Sequence, residues 1–234
     1  LLSHRSGLGR RGDLLWYGSA YSRDEILRRI RYLTPNTSFR SQFGYQNIMF
    51  LAAGQAAAAA AGTSWDDLIA DRIFRPLHMT ESNTSVSALA GRTDVATPHF
   101  IINGQPTPIA WRNIDNIGPA GAINSTVLDM ARWVRMQLAG GTLDGTTILK
   151  PATLAEMRTP QTIIASPPDS LFPSMHFSAY GFGWVLQDYM GRKLVWHNGG
   201  TGGMLSEVRR IPEEHLCIVI RINAETHELN PALA

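Results

Sequence analysis

Three short segments carry residue types that could do chemistry. Phe43-Gly44-Tyr45-Gln46-Asn47 stands at a loop-to-helix boundary, where side chains project into a cleft. A tyrosine hydroxyl relays protons when a neighbouring cation lowers its pKa. An asparagine amide offers both donors and an acceptor. On its own, Tyr45-Gln46-Asn47 reads ahead of that as a packing tyrosine and a helix cap. Trp196-His197-Asn198-Gly199-Gly200-Thr201-Gly202-Gly203 ends one strand and turns into the next. Glycines on a strand edge let a substrate approach the backbone, and exposed N–H groups there can stabilise an oxyanion. Alone, this segment fits a tight turn with a surface histidine equally well. Leu1-Leu2-Ser3-His4-Arg5-Ser6-Gly7-Leu8 reads as the end of a helix and a turn, with His4 a turn residue.

Other chemistries find no footing. No Ser-x-x-Lys occurs: Thr147 stands three positions before Lys150, and Met190 three before Lys193. A Gly-x-Ser-x-Gly elbow is absent as well. His4, His78, His99, His176, His215 and His227 show no metal-ligand spacing, so no metal is expected. There is no phosphate-binding glycine loop. Cys217, the only cysteine, allows no internal disulfide and reads as a small core residue in an alternating strand. Asn36-Thr37-Ser38, Asn83-Thr84-Ser85 and Asn124-Ser125-Thr126 match the glycosylation pattern, which is too short to argue from.

The elements that must position these residues follow from patterning. With 234 residues, 44% of them hydrophobic, the chain can bury a sizeable core. Its net charge of +2 gives no drive toward nucleic acid or an anionic membrane. Ser22-Arg23-Asp24-Glu25 forms a capping box ahead of Ile26, Ile30 and Leu33 at helical spacing, and Thr34-Pro35 stops that helix. A second helix is predicted from Gln46 to Ala61, apolar on nearly every face and therefore buried, with Gly62 as its cap. Its apolar stretch is shorter than the roughly 20 residues that span a bilayer, so no transmembrane segment is expected. Ser64 starts a third helix, ending before Pro76. Residues 79–119 read as loops with short strands. Asn124-Ser125-Thr126 caps a helix that Gly140-Gly141 ends, and Pro151 starts another, to about Arg158. Strands follow at Phe182–Leu186, Lys193–His197, Met204–Ile211 and Leu216–Asn223, joined by short turns and hence antiparallel. The chain opens at Leu1, not Met, so its natural start is expected upstream and no export signal can be read.

Together and in this order, the segments resemble the serine β-lactamases, penicillin-binding proteins and related esterases. Leu1 to Leu8 resembles that family's turn after the nucleophile helix. Tyr45-Gln46-Asn47 resembles its Tyr-x-Asn element, in the class C branch. Arg75-Pro76-Leu77-His78-Met79 is similar to its Pro-Leu-Gly-Met turn. Gly118-Pro119-Ala120-Gly121-Ala122, running into Asp129-Met130-Ala131-Arg132, is similar to its loop and helix after the site entrance. His197-Asn198-Gly199 resembles the strand motif that is Lys-Thr-Gly in many members. The likeness covers nearly the whole chain.

The resemblance implies an α+β, β-lactamase/transpeptidase-like fold truncated at both ends. Residues 1–160 would form a helical lobe, and 161–234 part of an antiparallel sheet, with only a stub after Asn223. It implies acyl transfer: a serine attacks an ester, amide or lactam carbonyl, and water releases the acyl-enzyme. The family's Ser-x-x-Lys lies upstream of the first segment, so this chain alone is expected to be inactive. Tyr45 would share proton transfer with that lysine, and Asn47 would hold the substrate's carbonyl or amide. His197 would supply hydrogen bonding or positive charge, and the Gly200 N–H half of an oxyanion hole, with Asn198 and Gly199 on the same edge. Histidine in place of lysine supplies no fixed cation at neutral pH, which favours esterase or peptidase action over β-lactam hydrolysis. The resemblance implies a small-molecule or peptide substrate and no cofactor, and it alone favours a periplasmic or secreted location. The alternative is a non-catalytic relative that binds peptide or peptidoglycan-like ligands. On either reading, Tyr45 and Asn47 should line one wall of a cleft and His197 and the Gly200 N–H the other. The Ile48–Ala61 helix should border an open, apolar groove.

Overall fold

The computed structural model describes residues 1–165 and 175–226. Side chains at the helix starts set the first elements. Ser22 opens α1 (Arg23–Arg29) by accepting from the Glu25 N–H. The Glu25 carboxylate does not complete the capping box. It pairs with Arg28 at 2.7 Å and Arg29 at 2.6 Å, one turn on. Helix α2 (Asn47–Ala61) is capped by the Gln46 side chain and ends at Gly62, whose φ of 68° is left-handed.

The expected burial of α2 fails in its second half. Ile48, Met49 and Leu51 are buried, whereas Ala56, Ala57 and Ala59 to Ala61 are exposed. The large side chains sit in the first two turns, and the alanines hold the helix by intrinsic propensity. Ile48, Met49 and Leu51 pack with Ile26 and Ile117, each fully buried side chain contributing roughly 1.5–3 kcal/mol. The Tyr45 end of the helix is thus the anchored end.

Ser64 caps α3 (Trp65–Ile69), which continues as a π-helical turn, Ala70–Phe74. A hairpin follows, β1 (His99–Ile102) with β2 (Gln105–Pro108), then the single turn α4 (Gly118–Gly121). Thr126 caps α5 (Val127–Leu138), accepting from the Asp129 N–H at 3.1 Å. A two-residue hairpin, β3 (Thr142–Leu143) with β4 (Thr146–Thr147), leads to α6 (Pro151–Met157). The portion up to residue 160 therefore mixes helices with two small hairpins.

The remaining strands form one antiparallel sheet: β5 (Thr162–Ile163), β6 (Ser178–Tyr180), β7 (Val185–Tyr189), β8 (Arg192–Thr201), β9 (Met204–Ile211) and β10 (Leu216–Ile222), side by side in sequence order. Strand β7 starts at Val185 instead of Phe182 because Gly183, with φ 76°, is spent in the preceding turn. Trp184, Leu186 and Val195 form the sheet's core, and the Trp133 ring of α5 stacks on Trp184 at 5.5 Å. Trp133 also packs on the cluster of Phe74, Leu77 and Met136, which ties sheet to helices. Cys217 is half-buried on the edge strand β10, where burial raises its thiol pKa to about 11. Among the described residues, no helix is long and apolar enough to cross a membrane.

The chain start is not a helix end. Residues 1–9 are turns, followed by a 3-10 helix, Arg10–Leu15. They are stitched to the sheet: the Leu2 carbonyl accepts from the Gly183 N–H at 3.1 Å, and the Ser3 carbonyl from the Thr162 hydroxyl at 2.8 Å.

Candidate active site

The first wall is built on His4. Its backbone turns through φ 52° and its carbonyl accepts from the Gly44 N–H at 2.9 Å. Its imidazole is 1% exposed, and Nδ1 accepts from the Gln46 N–H at 3.1 Å. The Gln46 side chain spans the gap, accepting from the Ile48 N–H and donating to the Gly9 carbonyl at 2.7 Å. Gly12 lies so close that an added Cβ would sit 2.4 Å from Gln46 Nε2. The Tyr45 ring is held against the His4 ring at 4.2 Å, with the Arg10 guanidinium 5.2 Å from its centre. Asn47, the first residue of α2, donates to the Asp13 carboxylate at 3.2 Å, leaving its amide oxygen as the acceptor it can present.

The second wall is the end of β8. Strand β7 pairs with β8 only as far as Trp196, while β9 pairs with it to Thr201. His197 to Thr201 thus have a strand on one side only, and alternate backbone groups face the open side. Asn198, Gly199 and Gly200 are exposed. The turn that follows is tight: Gly203 has φ 77°, and a Cβ there would lie 2.7 Å from the His99 N–H nitrogen. His197 itself is half-buried. Its Nε2 lies 2.9 Å from the Tyr180 hydroxyl, and its Nδ1 2.5 Å from the Asn198 carbonyl oxygen.

The two walls meet. The rings of Tyr45 and His197 lie 6.4 Å apart, although the residues are 152 positions apart in the chain. Tyr45, Asn47, His197, Asn198, Gly199 and Gly200 all line one cleft of about 1610 Å³. That is more than a single small ligand fills (roughly 300–1,000 Å³), so the polar groups, not the volume, locate any reacting bond. Of helix α2 only Asn47 reaches this cleft. The apolar border expected from Ile48–Ala61 is not there, because Ile48, Met49 and Leu51 are turned into the core with Ile26 and Ile117, and Phe50 packs on the His4 ring.

Desolvation dominates the electrostatics. Burial raises the Tyr45 pKa, and Arg10 opposes this without reversing it, so Tyr45 is a phenol at neutral pH. Burial also raises Tyr180, with Tyr45 adding to the shift. His197 is lowered by burial, against the Asn198 carbonyl that favours its charged form. His4 is lowered to about 3, by burial first and His197 second. Beside Tyr45 the fixed charges are Arg10 and Asp13, and Arg112 and Arg209 line the wider cleft. The site offers hydroxyl, amide and backbone groups to one shared cleft.

Four of these residues, His4, Arg10, Asp13 and Tyr180, carry no sequence signal of their own. His4 looked like any turn residue, and Asp13 sits in a 3-10 turn with no pattern around it. Tyr180 belongs to a three-residue strand too short to show alternation. Among the described residues, no group of three or more His, Cys, Asp or Glu side chains could hold a metal; His227 lies outside them.

The Beta-lactamase family model matches residues 1–232. An unguisins hydrolase of Aspergillus campestris is 28% identical over 231 residues, covering 95% of this chain and 41% of that protein. The octameric penicillin-binding protein homologue of Pyrococcus abyssi superposes with a TM-score of 0.79 at 21% identity, over 96% of this chain and 51% of its own. The D-amino acid amidase of Ochrobactrum anthropi, solved with D-phenylalanine, does so with a TM-score of 0.73 at 22% identity, over 99% and 72%. The chain spans about two fifths of the length of the curated relatives it matches. With the helices, the antiparallel sheet and the motif order all in accord, this chain belongs to the β-lactamase family of serine hydrolases and penicillin-binding proteins.

Proposed function

We propose that the full-length protein carrying this chain hydrolyses an ester or amide bond through an acyl-enzyme, with its nucleophilic serine and lysine outside these 234 residues. The observation that carries this is the convergence of Tyr45 and His197 on one cleft, their rings 6.4 Å apart. Tyr45, a phenol held by His4 and Arg10, takes the proton of the attacking hydroxyl as it gives its own toward the leaving group. Asn47 receives the substrate's amide through its free oxygen. The Gly200 N–H on the open edge of β8 is one donor to the oxyanion, with Asn198 and Gly199 flanking the substrate. His197 closes the opposite wall. A half-buried, neutral His197 offers a substrate carboxylate no counter-charge of its own, which favours ester and peptide bonds over β-lactams. The unguisins hydrolase named above is consistent with hydrolysis on this fold, and the D-amino acid amidase with amide chemistry.

The test is turnover of a chromogenic ester, a chromogenic amide and a chromogenic cephalosporin by the full-length protein, beside the 234-residue chain. Full-length activity abolished by a serine-directed acylating reagent, with the chain alone at buffer level, is the expected result. Turnover by the chain alone would place the nucleophile inside it. Tight binding of peptide or peptidoglycan fragments without any turnover would instead make the protein a non-catalytic binder.

A further inference from the structure

We propose that Tyr180 is a positioning residue that holds His197 as its neutral Nδ1–H tautomer, with Nε2 accepting from the Tyr180 hydroxyl. The consequence for catalysis rests on the function proposed above; the couple itself does not.

A backbone carbonyl can only accept a hydrogen bond. The Asn198 carbonyl oxygen lies 2.5 Å from His197 Nδ1, so that nitrogen carries a proton. A neutral ring protonated there has a lone pair on Nε2, and the group 2.9 Å away is the Tyr180 hydroxyl, which must donate. Among the described residues, no carboxylate is paired with the ring to hold a second proton. The Tyr45 ring is 6.4 Å off, and His4 packs on the Tyr180 ring at 4.6 Å. Arg10, over the Tyr45 ring, is itself cationic. From β9 the cross-strand neighbour is Val208, which is apolar. The nearest carboxylate in register, Glu207, points to the other side of the strand and is engaged by Arg209. Tyr180, 1% exposed with its pKa raised by burial, keeps its proton and remains a donor.

Both ring nitrogens are thereby spent inside the protein. His197 presents neither a free N–H nor a charge to the cleft. It stands as a fixed wall opposite Tyr45, and the site should take acyl donors with no carboxylate beside the scissile bond.

The test is a long-range ¹H–¹⁵N correlation of imidazole-labelled full-length protein at pH 7. The expected His197 pattern is a protonated-type Nδ1 and an unprotonated-type Nε2 displaced by a hydrogen bond. Tyr180→Phe should move Nε2 to the position of a free lone pair. Should that buried substitution prevent folding, 3-fluorotyrosine incorporation strengthens the donor and should move Nε2 the other way. An Nε2–H tautomer or an imidazolium in the wild type overturns the proposal, as does an Nε2 resonance that neither change moves. In turnover of a neutral ester, Tyr180→Phe should lower kcat about 10- to 100-fold with KM nearly unchanged, the penalty of a slackened wall. The expected NMR pattern in a protein without turnover would support the couple and remove the hydrolase proposal alone.

Discussion

The two walls of the cleft are held in place by different means. The Tyr45 wall depends on buried side chains: His4 accepts from the Gln46 backbone, Gln46 ties the loop to Gly9, and aromatic rings close around His4. The His197 wall depends on backbone register, a strand paired on one side and a glycine turn at its end. Side-chain scaffolding fixes Tyr45, the group proposed to move a proton, where a misplacement of about 1 Å can cost 100-fold in rate. Backbone scaffolding suits a wall whose contribution is an N–H row, since its donors need no rotamer to be held.

That contrast can be broken from either side. The largest effect is expected from Tyr45→Phe in the full-length protein: kcat for a chromogenic ester should fall about 100-fold or more while the circular dichroism and thermal midpoint stay normal. Near-normal kcat would reduce Tyr45 to a packing residue. His4→Ala should strike the scaffold itself. It leaves the Gln46 N–H without its acceptor and opens a cavity among Tyr45, Phe50 and Tyr180, at a cost of about 3 kcal/mol in denaturant unfolding. Gly203→Ala tests the other wall. A left-handed φ and a Cβ 2.7 Å from the His99 nitrogen should destabilise the protein by on the order of 2 kcal/mol and shift the β8–β9 turn. A neutral outcome would mean that the glycine turn does not hold the strand edge.

The smallest effect per step is a pH dependence. His4 titrates near 3 when folded and near 6.5 when unfolded, so the unfolded chain binds the extra proton between these values. Its contribution to stability is complete above about pH 6.5 and is lost at roughly 1.4 kcal/mol per unit as pH falls toward 3. His197, also lowered, adds a limb of the same sign. The diagnostic is thus the difference between wild type and His4→Gln, whose acid limb should be shallower. Equal slopes would mean that His4 is not held neutral in the fold.

Strong local signals made much of this legible in the sequence. Gly62 marked the end of α2, and Met204–Ile211 stood out as a strand because Gly202-Gly203 and Pro212-Glu213-Glu214 bound it on either side. Tyr45, Asn47 and the His197–Gly200 edge were found through motif order over the whole chain, not through any single tripeptide. What stayed hidden depends on contacts across the chain. Strands β5 and β6 are two and three residues long and are defined by their partners. Tyr180 matters because its hydroxyl reaches a histidine seventeen positions away, and His4 because a turn folds inward beneath Tyr45. Even the burial of α2 was misjudged, since alanine composition does not say which half carries the load.

The most direct measurement is a structure of the full-length protein with a phosphonate ester bound to its nucleophile. One adduct is expected, on a serine outside residues 1–234. Its phosphonyl oxygen should lie about 2.7–3.1 Å from the Gly200 nitrogen, with the Tyr45 hydroxyl within about 3.2 Å of the leaving-group position. An adduct on a serine of this chain, or one lying outside the space between Tyr45 and His197, would contradict that expectation.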